Sequence, residues 1–147
     1  MFAPKIILVP TDFSEHSDKA IRQAADIAEQ NNAKIYLLHV VDKVQQCAVD
    51  YCIPVESVTK AQADGAENAT QKMREEVQKL LQSRKIDVTF GVKVGVPYEE
   101  ILQQELDRKA DLIVIGSHGR TGVKRAFLGS VAEKVTREAK CPVLLVR

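Results

Sequence analysis

Runs of apolar residues alternate along the chain with segments in which apolar residues recur every three or four positions. Continuous runs rich in β-branched residues are typical of strands covered on both faces, and they occur at 5–10, 34–41, 111–116 and 143–146. A less apolar, alternating run at 86–94 predicts a further strand. The pattern therefore predicts five strands.

The segments between these strands predict four helices. Their apolar residues recur at the spacing of one helical face, as in a helix that packs on a core. A helix from about Ser14 to Asn31 is followed by a long helix, by one that starts at Pro97, where proline suits the first turn, and by a final helix. The residues expected to face inward are Ala20, Ile21, Ala24, Ala25 and Ala28, then Ala69, Met73, Val77, Leu80 and Leu81, then Ile101, Leu102 and Leu106, and finally Val131, Val135 and Ala139.

The connection between the second strand and the long helix lacks clear periodicity from 42 to about 59. Gly65 weakens the start of that helix, so the pattern does not fix its first residue. Long connections in compact domains are usually lids or mobile loops. The segment 42–59 is therefore a candidate flap beside a site.

Strands and helices alternate over the whole length, which is the pattern of an α/β fold. This alternation favours an open, doubly wound parallel sheet with helices on both faces and right-handed crossovers. With 147 residues, the chain fits a single domain spanning 1–147. A chain of this size buries enough surface to form a core without disulfides or a structural metal.

The composition narrows the function classes. Lys and Arg number 21 against 20 Asp and Glu, so the net charge of +1 gives no overall attraction to nucleic acid or to an anionic membrane. The apolar runs are far shorter than the roughly 18 residues that a bilayer crossing needs, and the N-terminus lacks the apolar stretch of a secretory signal. We therefore expect a cytoplasmic protein with no nucleic-acid or membrane partner.

The three cysteines, Cys47, Cys52 and Cys141, include no Cys-x-x-Cys pair. Their odd number and their spacing indicate neither a disulfide framework nor a thioredoxin-type redox site. No second pair of ligands stands at zinc-site spacing beside Cys47 and Cys52. We expect two loop thiols and one packed cysteine, all reduced.

The candidate chemistry lies at the carboxyl ends of the first and fourth strands, because ligands of open parallel sheets bind where the strand order reverses. Asp12 follows the first strand, and a glycine-rich loop that leads to Ser130 follows the fourth. Glycines let backbone N–H groups approach phosphate oxygens, and Ser130 opens a helix whose positive end attracts anions. The alternative is a plain turn in which Ser130 and Glu133 form a capping box. The basic residues of the loop, which would either attract phosphate or form a solvated surface, are Arg120, Lys124 and Arg125.

Known nucleotide signatures exclude two classes of site. The chain contains no Gly-Lys-Ser or Gly-Lys-Thr P-loop, and the turn after the first strand contains no glycine, which excludes a dinucleotide fingerprint. The pattern Gly116-x-x-Gly119, nine residues and then Gly129-Ser130 resembles the ATP-binding signature of the universal stress protein family. Further segments that resemble this family, in the same order, are Val9-Pro-Thr-Asp-Phe-Ser14, Leu38-His-Val-Val-Asp42 and Cys141-Pro-Val-Leu-Leu-Val146, so the resemblance covers essentially the whole chain.

The resemblance implies a five-stranded parallel sheet in the order 3-2-1-4-5, with an ATP site where the first and fourth strands lie side by side. Asp12 would bind the ribose hydroxyls, and the backbone of Val40 would pair with the adenine edge. A Mg²⁺ or Mn²⁺ ion would be held chiefly by phosphate oxygens and water. Some ATP-binding members have threonine where Ala132 stands, so one hydroxyl contact is missing here. The residues implied to line base and sugar are Pro10, Thr11 and Ile115, and those implied around the triphosphate are Gly116, His118, Gly119, Gly129, Ser130 and Val131.

Several polar residues allow a second interpretation. Asp12 is equally able to bond its own turn or to cap the following helix. His118 is either a phosphate contact or a solvent-facing loop residue, and a general-base role for it has weaker support. His39, in mid-strand, is expected to be packed and hydrogen-bonded. His16, early in the first helix, is expected to be exposed.

Two functional hypotheses follow from these features. The first is an ATP-binding stress or signalling module whose shape or partner choice responds to occupancy, with little or no intrinsic hydrolysis. No carboxylate is obviously placed to orient water at the γ-phosphate, and spacing assigns no arginine to the transition state. The alternative is a slow ATPase, or a nucleotidyl- or phosphoryl-transfer enzyme on the same site. The partner proteins are not identified by the sequence.

The last strand, 143–146, bears on assembly. It is apolar, it lies at the sheet edge in the implied order, and only Arg147 follows it. Unpaired edges invite pairing, and the family resemblance also implies a two-fold homodimer through this strand. The alternative is an edge shielded by neighbouring helix side chains.

Overall fold

The computed structural model describes residues 1–42, 55–119 and 128–147, with side chains for all of these except 55–64. Each strand is followed by a helix until the chain ends in a strand. In chain order the elements are β1 (Ile6–Pro10), α1 (Glu15–Asn31), β2 (Lys34–Asp42), α2 (Val55–Leu81), β3 (Asp87–Gly95), α3 (Pro97–Arg108), β4 (Leu112–Gly116), α4 (Ser130–Glu138) and β5 (Val143–Val146).

The five strands form one parallel sheet in the order β3-β2-β1-β4-β5. The central strand β1 pairs with β2 on one side and with β4 on the other, so that Ile7 lies opposite both Ile35 and Leu112. The strand order reverses between β1 and β4. The predicted α/β fold and the predicted order 3-2-1-4-5 are thus confirmed.

Two hydrophobic layers cover the two faces of the sheet. Successive side chains of a strand point to opposite faces, so Ile7 of β1 packs with α1 and α2, whereas Leu8 packs with α3 and α4. The face of α1 that meets the sheet consists of alanines and Ile21, all of them buried. These small side chains let α1 approach the sheet closely at the point where β1 ends. None of the helices in the described part of the chain combines the length and apolar character that a membrane crossing needs.

The connection predicted over 42–59 is wrong at both of its ends. Asp42 belongs to β2, and α2 already begins at Val55, so the helix runs through Gly65. A glycine costs a helix about 1 kcal/mol relative to alanine, which the packing of a helix of 27 residues outweighs. The remainder of that connection, with Cys47 and Cys52, lies outside the described residues.

The inward face of α3 also differs from the prediction. Leu106 was expected to face the core but is 57% exposed, whereas Glu105 is only 3% exposed. One oxygen of the Glu105 carboxylate, Oε1, accepts hydrogen bonds from the backbone N–H groups of Lys140 and Cys141, each at 2.7 Å. A buried carboxylate is tolerated where such donors satisfy it. Glu105 therefore holds the turn that leads into β5.

The Cys141 thiol lies beside this carboxylate and is half-buried. Burial, followed by the hydrogen bond and charge of Glu105, raises the pKa of this thiol to about 12. The thiolate is the reactive form of cysteine. Cys141 is therefore a packed side chain, as the sequence predicts, and its raised pKa keeps the thiol protonated at neutral pH.

We predict that Glu105→Ala lowers the free energy of unfolding by about 2–4 kcal/mol, because two backbone N–H groups before β5 lose a charged acceptor. The matched control is Leu106→Ala on the neighbouring exposed position, which we expect to change stability by no more than about 0.5 kcal/mol. Urea unfolding followed by circular dichroism measures both. Equal losses in the two variants would contradict the assigned helix face.

Candidate functional site

A crevice of about 430 Å³ opens at the carboxyl ends of β1, β2 and β4 and reaches the beginning of α4. Its volume lies within the range of small-molecule sites. The structure brings together in this crevice all the site residues that the sequence indicates, although what they bind stays a prediction. They are Pro10, Thr11, Asp12, Val40, Ile115, Gly116, His118, Gly119, Gly129, Ser130 and Val131.

The turn after β1 forms one side of the crevice, and Thr11 fixes its position. The Thr11 backbone N–H donates to the Leu38 carbonyl at 2.8 Å, and the Thr11 carbonyl lies 2.8 Å from His39 Nδ1. The next residues turn sharply, since Phe13 has a positive φ of 66°. The backbone of the turn is therefore held by β2.

Asp12 bonds its own turn and also reaches across the crevice. Its Oδ1 accepts the Ser14 N–H at 3.0 Å and the Ser17 hydroxyl at 2.6 Å, so the local role that the sequence left open is present. Its Oδ2 lies 2.8 Å from the point that a Cβ on Gly119 would occupy. One carboxylate thus shapes the turn and meets the glycine loop opposite.

Two glycines avoid close contacts where the walls of the crevice approach each other. A side chain on Gly119 would strike the Asp12 carboxylate. A Cβ on Gly129 would come within 3.2 Å of the Ser117 carbonyl, to which the Gly129 N–H donates at 2.8 Å. The absence of side chains leaves the loop backbone open to a ligand, as a phosphate cradle requires.

The predicted capping box at the start of α4 is wrong. Gly129, in an extended conformation, is the N-cap, and Ser130 is the first helical residue. The Glu133 N–H donates to the Gly129 carbonyl at 2.9 Å, and the Glu133 carboxylate pairs with Arg137 instead of reaching back. The box fails because Ser130 stands one position too late to cap. Ser130 is exposed at the positive end of the helix.

His118 lies at the crevice, and His16 lies beside it. The ring centroids of the two histidines are 5.7 Å apart, and the Ser117 hydroxyl is 2.9 Å from His118 Nδ1. The remaining ring nitrogen of His118, Nε2, and the Nδ1 of His16 are buried and have no hydrogen-bond partner among the described residues. The prediction that His16 is exposed is therefore wrong. It is half-buried because the β1–β4 pairing brings the first turn of α1 against the glycine loop.

The opposite wall of the crevice is largely apolar and contains residues that the sequence did not indicate. His39 was expected to be packed and hydrogen-bonded. It has its hydrogen bond, but it is half-buried, stacks on Phe13 with ring centroids 4.4 Å apart, and lines the crevice. The further lining residues that the sequence did not indicate for the site are Ser17, Leu38, Val41, Asp42, Pro97 and Ile101. Ala132, which the family resemblance already implies at the site, lines the crevice as well. The basic residues Arg120, Lys124 and Arg125 lie outside the described residues.

A buried carboxyl group lies behind the turn. Glu76 of α2 is 8% exposed, and its Oε1 accepts the Thr11 hydroxyl at 3.0 Å. Burial is the first cause that raises the pKa of Glu76 from 4.5 to about 7, and the neighbouring carboxylates of Asp18 and Asp12 add to it. The sequence did not indicate Glu76, which borders the apolar stripe that contains Met73 and Val77.

Comparisons with known proteins agree with the fold. The model of the universal stress protein family matches residues 4–147. Universal stress protein MJ0531 of Methanocaldococcus jannaschii is 38% identical over 151 residues, which cover 97% of this chain and 82% of that protein. The solved structure of MJ0577 from the same organism is 33% identical, has a TM-score of 0.86 and covers 99% of this chain and 96% of its own. A universal stress protein solved in complex with cAMP is 25% identical, has a TM-score of 0.73 and covers 99% of this chain and 98% of its own.

The raised pKa of Glu76 predicts that stability falls with pH near neutrality. The folded protein binds this proton more tightly than the unfolded chain does. The stabilisation that this proton provides is therefore complete below about pH 4.5 and is lost as pH rises through about 7. The free energy of unfolding falls by about 3 kcal/mol over this range. Glu76→Gln, which cannot titrate, should remove this part of the pH dependence, whereas exposed Glu75→Gln should keep it. Urea unfolding at several pH values measures the difference, and parallel curves for wild type and Glu76→Gln would contradict it.

Proposed function

The chain belongs to the universal stress protein family, and we propose that it is a member that binds ATP with Mg²⁺ or Mn²⁺ in the crevice. In this proposal the protein signals by whether ATP is bound in the crevice, and not by hydrolysing it. It acts in the cytoplasm by changing its shape or its choice of partner protein.

The contact between Asp12 and the position of Gly119 is the observation that carries this proposal. An acidic side chain that can accept from sugar hydroxyls lies so close to Gly119 that a Cβ there would be 2.8 Å from its Oδ2, and the backbone of this glycine can approach phosphate. The two groups lie on the β1 and β4 sides of the reversal point, where α/β sheets bind ligands. A related protein is solved in complex with cAMP, which is also an adenine nucleotide with a ribose and a phosphate. That complex supports the same class of ligand.

The lining residues divide the crevice into three parts for this ligand. Val40 and Ile115 flank the base, and the Val40 backbone meets the adenine edge. Asp12 holds the ribose, for which the local bonds to its Oδ1 fix the carboxylate in place. The triphosphate lies along the glycine loop, against Gly119 and the exposed Ser130 at the start of α4.

The metal ion enters with the nucleotide in this proposal. Within the described ranges, no group of three or more His, Cys, Asp or Glu side chains is arranged to hold a metal ion. Mg²⁺ is typically bound through substrate phosphates and water with few protein ligands. Phosphate oxygens and water therefore supply most of its ligands here. The ion neutralises part of the triphosphate charge near Asp12.

We predict that wild type binds ATP in a calorimetric titration and that Gly119→Val abolishes binding, because the side chain strikes Asp12 and covers the loop backbone. Asp12→Ala should weaken ATP by about tenfold to a hundredfold through lost charged hydrogen bonds. The same variant should bind inorganic tripolyphosphate at least as tightly as wild type does, since that ligand has no ribose and the substitution removes a like charge. Circular dichroism controls for folding.

Analysis of the nucleotide recovered after each titration separates the proposed module from an enzyme. We expect intact ATP. Release of ADP or pyrophosphate over many turnovers would favour the alternative, a slow ATPase or a nucleotidyl- or phosphoryl-transfer enzyme. Silent titrations of wild type with ATP would overturn the proposed function itself.

We also propose a homodimer through β5, which is the edge strand beyond β4. The carbonyls of Pro142 and Val146 accept hydrogen bonds from the N–H groups of Ile113 and Ser117, which lie on the β4 side. In a parallel pair this alternation directs the backbone N–H and carbonyl of Leu145 away from β4, toward the open edge. That edge is available for a second copy of the chain.

We predict a dimer in size-exclusion chromatography with light scattering. Leu145→Pro should give a folded monomer, because it removes the N–H that points to the open edge and leaves the hydrogen bonds to β4 intact. Leu145→Ala is the matched control, since it shortens the same side chain but keeps the N–H, and it should stay dimeric. A monomeric wild type would exclude this assembly.

A further inference from the structure

Glu76 lies outside the crevice lining but bonds directly to it from behind. We infer that Glu76 is a positioning residue for the sugar side of the crevice, and that the proton it carries tunes the affinity for an anionic nucleotide. This inference rests on the proposed function. It adds a regulatory input, the local proton concentration, to the same site.

A short chain of hydrogen bonds connects Glu76 to the turn that bears Asp12. The Thr11 hydroxyl donates to Glu76 Oε1 at 3.0 Å and accepts the Phe13 N–H at 3.1 Å. Asp12 stands between Thr11 and Phe13 in the sequence. Because Phe13 has a positive φ, the turn is sensitive to the loss of either hydrogen bond. Glu76 thus fixes, through Thr11, the backbone on both sides of Asp12.

The second oxygen of Glu76 requires a proton. Oε2 is buried and has no hydrogen-bond partner among the described residues. Its neighbour is the Asp18 carboxylate of α1, with which Glu76 forms a hydrogen bond when one of the two groups is protonated. A proton on Glu76 would allow a hydrogen bond between the two carboxyl groups and would remove their mutual repulsion.

The other charged groups around this pair do not supply the missing cation. From the turn, the Asp12 carboxylate adds a further negative charge. From β2, His39 bonds the Thr11 carbonyl, and from α2 itself, Lys72 Nζ lies 5.7 Å from the centre of the Phe13 ring. Among the described residues no ion pair to Glu76 is formed. With no cation paired to it in the described part of the chain, the negative charge of this buried carboxyl is removed by a proton.

The charge of Glu76 then acts on an anionic ligand. When ionised, Glu76 places a buried negative charge directly behind Thr11 and Asp12, against which a nucleotide polyphosphate must bind. When protonated, it keeps the Thr11 bond and removes that charge. Nucleotide affinity should therefore be higher in the protonated state, and nucleotide binding should in turn raise the proton affinity of Glu76 by the same factor.

The test is calorimetric titration with ADP of wild type, Glu76→Gln and Glu75→Gln from about pH 6 to about pH 8.5. ADP ionises in this range, but equally for all three proteins, so the ratio of affinities isolates the protein group. Glu76→Gln mimics the protonated carboxyl. We expect equal affinities of wild type and Glu76→Gln at the low end, and wild type roughly threefold to tenfold weaker at the high end. Exposed Glu75→Gln should match wild type throughout.

A second measurement needs no variant. The side-chain carboxyl carbon of Glu76, followed by NMR in the unmodified protein, should titrate near neutrality and shift its midpoint upward when ADP is added. A constant affinity ratio at all pH values, whether near one or uniformly weaker, or an unmoved midpoint, would overturn the inference while the proposed function stands. Wild type that binds no nucleotide at any pH would overturn both.

Discussion

The position of β1 between β2 and β4 is the constraint on which the rest of the structure depends. Asp111, just before β4, fixes the register at the opposite end of the pair, because its carboxylate accepts the N–H groups of Lys5 and Ile6 at 3.0 Å. With β1 and β4 in register, their carboxyl ends emerge side by side. The turn of Asp12 and the backbone at Gly119 therefore face each other.

A functional turn at this place needs support from behind. The residues after β1 are polar and close to the core, so their donors and acceptors must be satisfied internally. Leu38 and His39 of β2 form hydrogen bonds with the Thr11 backbone, and Glu76 of α2 accepts one from the Thr11 hydroxyl. The support on the α2 side is itself a buried carboxyl, which makes the turn dependent on a proton as well as on packing.

The sequence predicted the elements and their order well because strand runs and helical stripes are local signals. It failed where long-range contacts decide. Glu105 replaces Leu106 on the inward face of α3 because distant backbone donors at the start of β5 bind its carboxylate. Glu76 carries no local signal, since only the fold brings it under Thr11. His16 is half-buried for the same reason, whereas Asp12 was found because a family motif marks it.

The backbone of Ser117 connects the glycine loop to the edge strand. Its carbonyl accepts the N–H of Gly129, the N-cap of α4, and its N–H donates to the carbonyl of Val146 in β5, both at 2.8 Å. The cradle proposed for phosphate and the edge proposed for dimerisation therefore share one residue. A nucleotide in the proposed cradle and a partner strand at the proposed edge would therefore act on two segments that the same residue joins. Such a link needs no hydrolysis, because a ligand that binds two arrangements of the protein with different affinities shifts the equilibrium between them.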